Sequence, residues 1–145
     1  MDCPRCLASA HDSPYREGPS AHLRRPALVR EKHPSTLEID RCPGCGGVWL
    51  EHGEMVRAET LARARGKGVD PNVIADLFRR TYVNARRVAE ERPAIDCPSC
   101  SEVMFEREWI YGSEVKVEVC IGCSGVWLDD GELDDLARYL GASWG

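Results

Sequence analysis

The stretch GVWLEHGE at residues 47–54 recurs as GVWLDDGE at residues 125–132, and each copy begins two positions after a Cys-x-x-Cys pair. A further pair stands upstream of each copy, CPRC at residues 3–6 and CPSC at residues 97–100. These four pairs contain all 8 cysteines of the chain. The chain is therefore a duplicated unit, in which the spacer between the two cysteine pairs is 16 residues longer in the first copy.

Each unit is too short to rely on its hydrophobic core alone. The chain has 145 residues, and duplication divides it into pieces of roughly fifty residues, a size at which disulfides or bound metal usually supplement the core. The N-terminal segment has no basic stretch followed by an apolar one, and no apolar run reaches the length of a membrane span. We therefore expect a cytoplasmic, reducing setting, no membrane association, and thiols that are available to bind metal.

The cysteine spacing predicts metal sites. Two Cys-x-x-Cys corners brought together by a β-hairpin offer four thiolates to one ion, and backbone N–H groups of such corners point at the sulfurs. Gly46 and Gly122 suit these corners, where a positive φ is tolerated. Because protein ligands fill all four positions, such a site is closed and structural. Zinc is favoured, while iron in a rubredoxin-like electron carrier, disulfides and a reactive dithiol remain alternatives.

In the second unit the sequence predicts a hairpin followed by a helix. Alternating apolar residues in EVMFEREWIY and EVKVEVC predict two strands around a turn at Gly112 and Ser113. The segment DDGELDDLARYLG places leucines on one helical face, with Asp129 or Asp130 as the N-cap and Gly141 at the end.

The first unit differs mainly in its spacer. It keeps the second strand, in STLEIDRC, and its helix is expected to continue to about Arg65. The spacer sequence YREGPSAHLRRPALVREKHP is rich in proline and charge, which predicts a long loop. Beyond GKGVDP, a central helix over about 71–91 carries an apolar stripe that must be buried against the units or against a second copy of the chain. A homodimer through this helix is therefore a hypothesis.

The segment DRCPGCGGVWLEHGEM at residues 40–55, with CPRC upstream, resembles the transcription factor IIB-like zinc-ribbon family. The resemblance covers both units, about 1–56 and 95–136, and implies a zinc ribbon with one structural Zn²⁺ ion in each. It implies the following ligands: Cys3, Cys6, Cys42 and Cys45 in one unit, and Cys97, Cys100, Cys120 and Cys123 in the other. The second copy departs from the family pattern at Ile121, which replaces a proline, and at Val119, which replaces a basic residue. An alternative is ligation across the units, in which the first cysteine pair completes the second site.

The repeated octet is interpreted as the closure of the ribbon and the start of a helix. In the first copy, Gly47 is expected to allow a close turn, and Trp49 to cover the metal knuckle with an apolar ring. Glu51 has the spacing of an N-cap, with Glu54 as its reciprocal partner. The equivalent residues of the second copy are Gly125, Trp127, Asp129 and Glu132.

The net charge of −5 is unevenly distributed. Residues 93–145 carry 3 basic and 11 acidic side chains, whereas residues 57–92 carry 9 basic and 5 acidic ones. The C-terminal part would repel a phosphate backbone, and the middle part could approach one. The candidate surface for such contact is a stripe of arginines on the central helix, although a solvated face is the more ordinary interpretation: Arg79, Arg80, Arg86 and Arg87.

These patterns predict a small α+β protein with two zinc ribbons joined by a central α-helix, each ribbon being a β-hairpin with two Cys-x-x-Cys knuckles and a following helix. The expected boundaries are 1–66 for the first ribbon with its inserted loop and helix, 67–94 for the linker helix, and 95–145 for the second ribbon. No catalytic motif is recognised, so we expect a non-enzymatic interaction module. The acidic second unit favours a protein partner, with a transcription-associated role by family analogy. Nucleic-acid binding through residues 57–92 is the alternative.

Overall fold

The structure, a computed structural model, describes residues 1–6, 26–68, 71–73, 75–77, 79 and 94–144. Within these ranges the strands and the two longer helices follow one another as β1 (Val29–Lys32), β2 (Glu38–Arg41), β3 (Val48–Leu50), α1 (Glu54–Arg65), β4 (Met104–Glu108), β5 (Lys116–Cys120), β6 (Val126–Leu128) and α2 (Glu132–Tyr139). A short helical turn at residues 4–6 precedes them.

The strands form one antiparallel sheet in the order β1-β2-β3-β6-β5-β4. Each unit supplies three strands, and the units join where β3 pairs with β6. Trp49 lies opposite Trp127 in that pairing, so the two copies of the octet meet at a pseudo-two-fold axis. The sequence predicts that a central helix joins the ribbons. It does not predict this direct pairing of strands from the two units. The predicted boundaries divide the chain by its repeats, whereas the sheet extends across both units.

The two faces of the sheet carry different cores, because successive side chains of a strand point to opposite sides. On one face, the apolar residues that flank the two tryptophans pack with buried residues of both helices: Val48, Leu50, Val126 and Leu128. On the other face, Trp49 and Trp127 form a buried cluster with Ile95, Met104 and cysteines of both units. The cysteine sites therefore share one core.

Two tryptophan side chains of the second unit contact the first unit. Trp109, which follows β4, donates a hydrogen bond from Nε1 to Glu59 of α1 at 2.8 Å. Trp144, which follows α2, packs edge-on against His33 in the β1–β2 turn, with 5.5 Å between the ring centroids. Each unit therefore helps to bury residues of the other.

The predicted strands at β2, β4 and β5 are present, and α1 ends at Arg65 as expected. The predicted long loop is wrong over Val29–Lys32, which forms β1. The charges that suggested a loop make cross-strand ion pairs instead, since Arg30 lies 3.1 Å from Asp40 and Arg41 lies 2.6 Å from Glu31. Spacer residues 7–25 lie outside the described residues.

The predicted N-caps are wrong. α2 begins after Gly131, which has a left-handed backbone with φ 86 and no side-chain cap hydrogen bond. The predicted reciprocal hydrogen bond is present: the carboxylate of Glu132 accepts a hydrogen bond from the backbone N–H of Asp129 at 2.7 Å. The same arrangement occurs at the start of α1 with Gly53, Glu54 and Glu51.

Of the predicted central helix, residues 71–73, 75–77 and 79 are described and are helical. Leu77 is buried, and Asp76 accepts a hydrogen bond from Arg138 of α2 at 2.9 Å. This part of the helix therefore lies beside the second unit. Most of the predicted apolar stripe lies outside the described residues, so the homodimer hypothesis is not tested by these contacts.

Candidate metal centres

Four sulfur atoms of the first unit converge in site 1, formed by Cys3, Cys6, Cys42 and Cys45. The helical turn at residues 4–6 positions the first pair, and the turn between β2 and β3 positions the second. The Sγ atoms of Cys3 and Cys45 are 3.6 Å apart, and those of Cys6 and Cys42 are 3.8 Å apart. Cys3 and Cys42 are buried, so the site forms part of the tryptophan face of the sheet.

Site 2 repeats this geometry in the second unit, with Cys97, Cys100, Cys120 and Cys123. The Sγ atoms of Cys97 and Cys123 are 3.6 Å apart, and those of Cys100 and Cys120 are 3.4 Å apart. In each site all four sulfurs lie within 4.8 Å of one another. The structure pairs the knuckles within each unit, so the alternative of ligation across the units is wrong.

The sulfur geometry fits a tetrahedral ion. Zinc–thiolate bonds of about 2.3 Å at tetrahedral angles separate neighbouring sulfurs by about 3.8 Å, close to the distances in both sites. Backbone N–H groups point at the sulfurs, from Cys45 to Cys42 Sγ at 3.4 Å and from Cys100 to Cys97 Sγ at 3.4 Å. Such contacts offset the negative charge of thiolates. Both clusters could therefore hold a metal ion.

The thiols of each cluster alter one another's protonation. In site 1, a hydrogen bond from the Cys3 thiol lowers the pKa of Cys45 to about 5, and the same contact together with burial raises the pKa of Cys3. In site 2, burial opposes ionisation of Cys120, but hydrogen bonds from the Cys123 backbone and the Cys100 thiol lower its pKa to about 7. Each cluster therefore contains one thiol with a lowered pKa, and metal binding requires the thiolate form of its cysteine ligands.

The glycine and tryptophan of the octet interlock the two units. Trp127 occupies the space in which a side chain at Gly47 would lie, and Trp49 occupies the equivalent space at Gly125. Each glycine closes its corner, since its carbonyl oxygen accepts a hydrogen bond from the backbone N–H of Cys42 or Cys120, but neither is among the described residues with positive φ. Gly47 and Gly125 are required because the opposite indole needs their space. Both tryptophans cluster with buried cysteines, as the predicted cover of the metal knuckle requires.

The residues with positive φ in the Cys-x-x-Cys corners match the prediction in the first unit and differ from it in the second. Gly46 has φ 77, as predicted for a knuckle glycine. In the second unit the equivalent residue is Ser124, with φ 63, and Gly122 is not among the positive-φ positions. The matching turns show that the backbone of the corner, rather than its glycine, is what the two units share.

A link that the sequence interpretation missed runs from site 1 to the second unit. Arg5, which lies between Cys3 and Cys6, donates hydrogen bonds to Glu118 at 2.6 Å and to Asp129 at 3.1 Å. The side chain of Arg5 is 11% exposed, and those of Glu118 and Asp129 are 10% and 20% exposed. Because these charges are largely shielded from water, removing one partner costs more than it does in an ordinary surface ion pair.

The sequence does contain a signal for this link. The acidic pair is repeated in the first unit as Asp40 and Glu51, but there Arg30 of β1 serves it, at 3.1 Å and 3.8 Å. Arg5 is matched in the second CPxC motif by Ser99. The acidic pair is therefore present in both units, whereas the arginine of the CPxC motif is present only in the first. This mismatch indicates that Arg5 pairs with acids of the other unit.

The two tryptophans differ in one hydrogen bond. Trp127 donates from Nε1 to Asp129 at 3.0 Å. Trp49 Nε1 is buried and has no hydrogen-bond partner within the described part of the chain. The equivalent acid, Glu51, has a side chain that is 58% exposed and lies near Arg30. The repeated octet is therefore symmetric in packing and asymmetric in polar contacts.

The predicted arginine stripe is described at one position. Arg79 is exposed on the central helical segment, whereas Arg80, Arg86 and Arg87 lie outside the described residues. Among the helices that the structure describes, none has both the length and the apolar character that crossing a membrane requires.

A protein-family model described as "Transcription factor zinc-finger" matches residues 27–59 and 96–139, just over half of the chain. The two matched regions contain both octets and three of the four cysteine pairs. No curated protein and no solved structure gives a significant match. With one matched region in each unit and a four-cysteine cluster in each, the chain belongs to the transcription factor zinc-finger family and carries two copies of its motif.

Proposed function

We propose that this chain is a non-enzymatic, zinc-binding module that binds another protein. The observation that carries the proposal is the composition of the two sites, each of which offers four cysteine sulfurs within 4.8 Å of one another. Zinc held by four thiolates has no open position for water or substrate, and such sites are structural. Membership of a zinc-finger family supports zinc as the ion, in preference to iron in a rubredoxin-like carrier.

The proposed role of the metal is to fix the knuckles. Cys3 and Cys6 lie on a segment that is separated along the chain from Cys42 and Cys45, and Zn²⁺ bound by these four residues would tie the two segments together. Structural zinc contributes on the order of 10 kcal/mol to the folding of zinc-finger peptides. Since Arg5 lies inside the first knuckle and contacts Glu118, a fixed knuckle would also hold the two units together.

Charge supports a protein partner over nucleic acid. Residues 93–145 carry 11 acidic and 3 basic side chains, and exposed acids such as Asp96, Glu102 and Asp130 lie on the second unit. A phosphate backbone would be repelled by this surface. A transcription-associated role is proposed by analogy with the family alone.

Crosslinking tests the proposal. The zinc-loaded full chain would be crosslinked in extract from the cells that produce it, and captured proteins identified by mass spectrometry beside a Cys120→Ser and Cys123→Ser double variant. We expect proteins that are captured by the zinc-loaded chain and lost with the variant.

Binding to nucleic acid is measured in parallel with labelled duplex and single-stranded DNA and RNA at several salt concentrations. Affinity that falls steeply with salt, and that Arg79→Glu weakens, would contradict the proposal and favour the nucleic-acid alternative.

A further inference from the structure

Three exposed apolar residues, Val103, Phe105 and Ile121, lie beside the partly buried Val119 on the second hairpin, next to site 2. Phe105 of β4 lies opposite Val119 of β5. Val103 stands just before β4, where it is bridged to Asp96, and Ile121 stands in the turn just after β5, so both are next to the last pair of the register, Met104 with Cys120. Phe105 is 54% exposed, Val103 52% and Ile121 75%. Single exposed apolar residues are common on protein surfaces, but contiguous groups mark interaction sites. These four residues are named the apolar patch.

The first unit does not repeat the apolar patch. Its equivalent positions in the sheet register are Ala27, Val29, Arg41 and Pro43. The guanidinium of Arg41 lies across this surface, 2.6 Å from Glu31 and 3.0 Å from the carbonyl oxygen of Gly46. Val119 and Ile121 therefore stand where the first unit has a basic residue and a proline.

Acidic side chains lie beside the apolar patch, and the exposed Arg107, two positions along β4 from Phe105, is a basic one nearby. Glu102 is exposed next to Val103, and its Cγ lies 3.0 Å from the position of a Cβ at Gly122, beside Ile121. The whole of residues 93–145 carries 11 acidic and 3 basic side chains. A second copy of the chain, docked patch to patch, would bring these like charges together, whereas a basic partner would be attracted.

We infer that the apolar patch is the docking surface for a basic segment of the partner protein. Apolar side chains of that segment contact Phe105 and Ile121, and its lysine or arginine side chains lie beside Glu102. This inference rests on the proposed protein-binding function and adds to it the surface and the chemistry of the partner.

The test uses an eight-residue peptide in which lysine alternates with leucine, titrated into the zinc-loaded, ¹⁵N-labelled full chain. We expect amide signals of residues 103–107 and 119–122 to shift. The double variant Phe105→Ser, Ile121→Pro should weaken binding at least tenfold, and Ile121→Pro reproduces the residue that the first unit carries. Val29→Ser at the equivalent place in the first unit is the matched control and should leave binding unchanged.

Zinc content and thermal midpoint are measured for every variant, and Phe105→Ser alone replaces the double variant if the latter loses zinc. Unchanged affinity in the patch variant, or equal affinity for a peptide of alternating glutamate and leucine, would overturn the inference. A concentration-dependent dimer that the patch variant abolishes would also overturn it, because the occupant would then be a second copy. Zinc-dependent protein capture that persists in the patch variant would contradict the inference alone, whereas absence of capture by the zinc-loaded chain would contradict the proposed function.

Discussion

Trp127 of the second unit fills the space beside Gly47 in which any other residue would place its β-carbon. The reverse contact, between Trp49 and Gly125, is its symmetry mate. The octet is repeated because each copy supplies an indole to the other and leaves room for the indole that it receives. The sheet contact between β3 and β6 is thus an interface within one chain, of the kind that joins two subunits of a symmetric dimer.

This relationship predicts a large effect from a small change. Gly47→Ala should destabilise the zinc-loaded protein by about 3 kcal/mol, since the new methyl group must displace the Trp127 ring in a packed core. The measurement is urea denaturation with zinc bound. The double variant Gly47→Ala, Trp127→Leu should be less destabilised than the sum of its single variants, and additive effects would contradict direct contact between these residues.

The link from site 1 to the second unit predicts a difference between two arginines. Arg5→Ala should cost about 2 kcal/mol of unfolding free energy, because it leaves the carboxylates of Glu118 and Asp129 largely shielded and short of a cation. Arg30→Ala removes the arginine that serves the equivalent acids of the first unit, but its side chain is 52% exposed, so the loss should be clearly smaller. Denaturation of both zinc-loaded variants gives the comparison. Equal losses of unfolding free energy would show that the ion pairs of Arg5 contribute no more to stability than those of Arg30.

The indole of Trp49, whose Nε1 has no hydrogen-bond partner among the residues that the structure describes, predicts a stabilising substitution. In the second unit an aspartate accepts the hydrogen bond of Trp127 Nε1, and Glu51 stands at the equivalent position in the first. Glu51→Asp should supply the missing acceptor and raise stability by about 1 kcal/mol. The converse change, Asp129→Glu, should lower stability, and the thermal midpoints of the two variants should move in opposite directions. A lower thermal midpoint for Glu51→Asp would show that an aspartate at position 51 does not accept a hydrogen bond from Trp49 Nε1 as Asp129 does from Trp127.

His33 predicts a pH dependence of stability. Burial lowers the pKa of His33, and its Nδ1 accepts a hydrogen bond from the backbone N–H of Ser35 at 3.1 Å, which the protonated ring could not do. Because the folded-state pKa lies below the unfolded value of about 6.5, the unfolded chain binds more protons between these two values. The stabilising contribution of neutral His33 to the unfolding free energy is therefore fully present above about pH 6.5. It is lost as the pH falls from this value through the lower pKa of the folded state.

The measurement is the unfolding free energy of the zinc-loaded protein at several pH values from neutral to mildly acidic, with His33→Asn as the control. Effects of the cysteines and carboxylates are common to both proteins, so the difference between them isolates the histidine. We expect the wild-type protein to lose more stability than the variant as the pH falls. Parallel curves would rule out a contribution from His33.

Much of the site could be predicted because cysteine spacing is a local signal. The pairs at residues 3–6 and 97–100 each imply a corner, and the family resemblance implies which corners belong together, with ligation across the units left open by the sequence. The hairpin of the second unit followed from strict alternation in EVKVEVC. These features depend on neighbours in the sequence, and the structure places them where the pattern indicated.

The features that were missed depend on contacts across the units. Nothing local to Gly47 shows that the indole of Trp127 needs its space, so the sequence predicts only a turn there. The sequence predicts a loop at Val29–Lys32 because the partners of its stabilising ion pairs lie on the neighbouring strand. The N-caps failed for a related reason, since the side chain of Asp129 binds Trp127 and Arg5 rather than the helix that follows it.

Elemental analysis of the full chain, purified without added metal, tests the central claim most directly. Two closed four-cysteine sites predict two zinc ions per chain and no iron, with one zinc ion lost from a variant in which Cys120 and Cys123 are replaced by serine. A coloured protein that contains iron would contradict the zinc assignment and favour an electron carrier. A folded chain with no metal would contradict the account of the cysteines altogether.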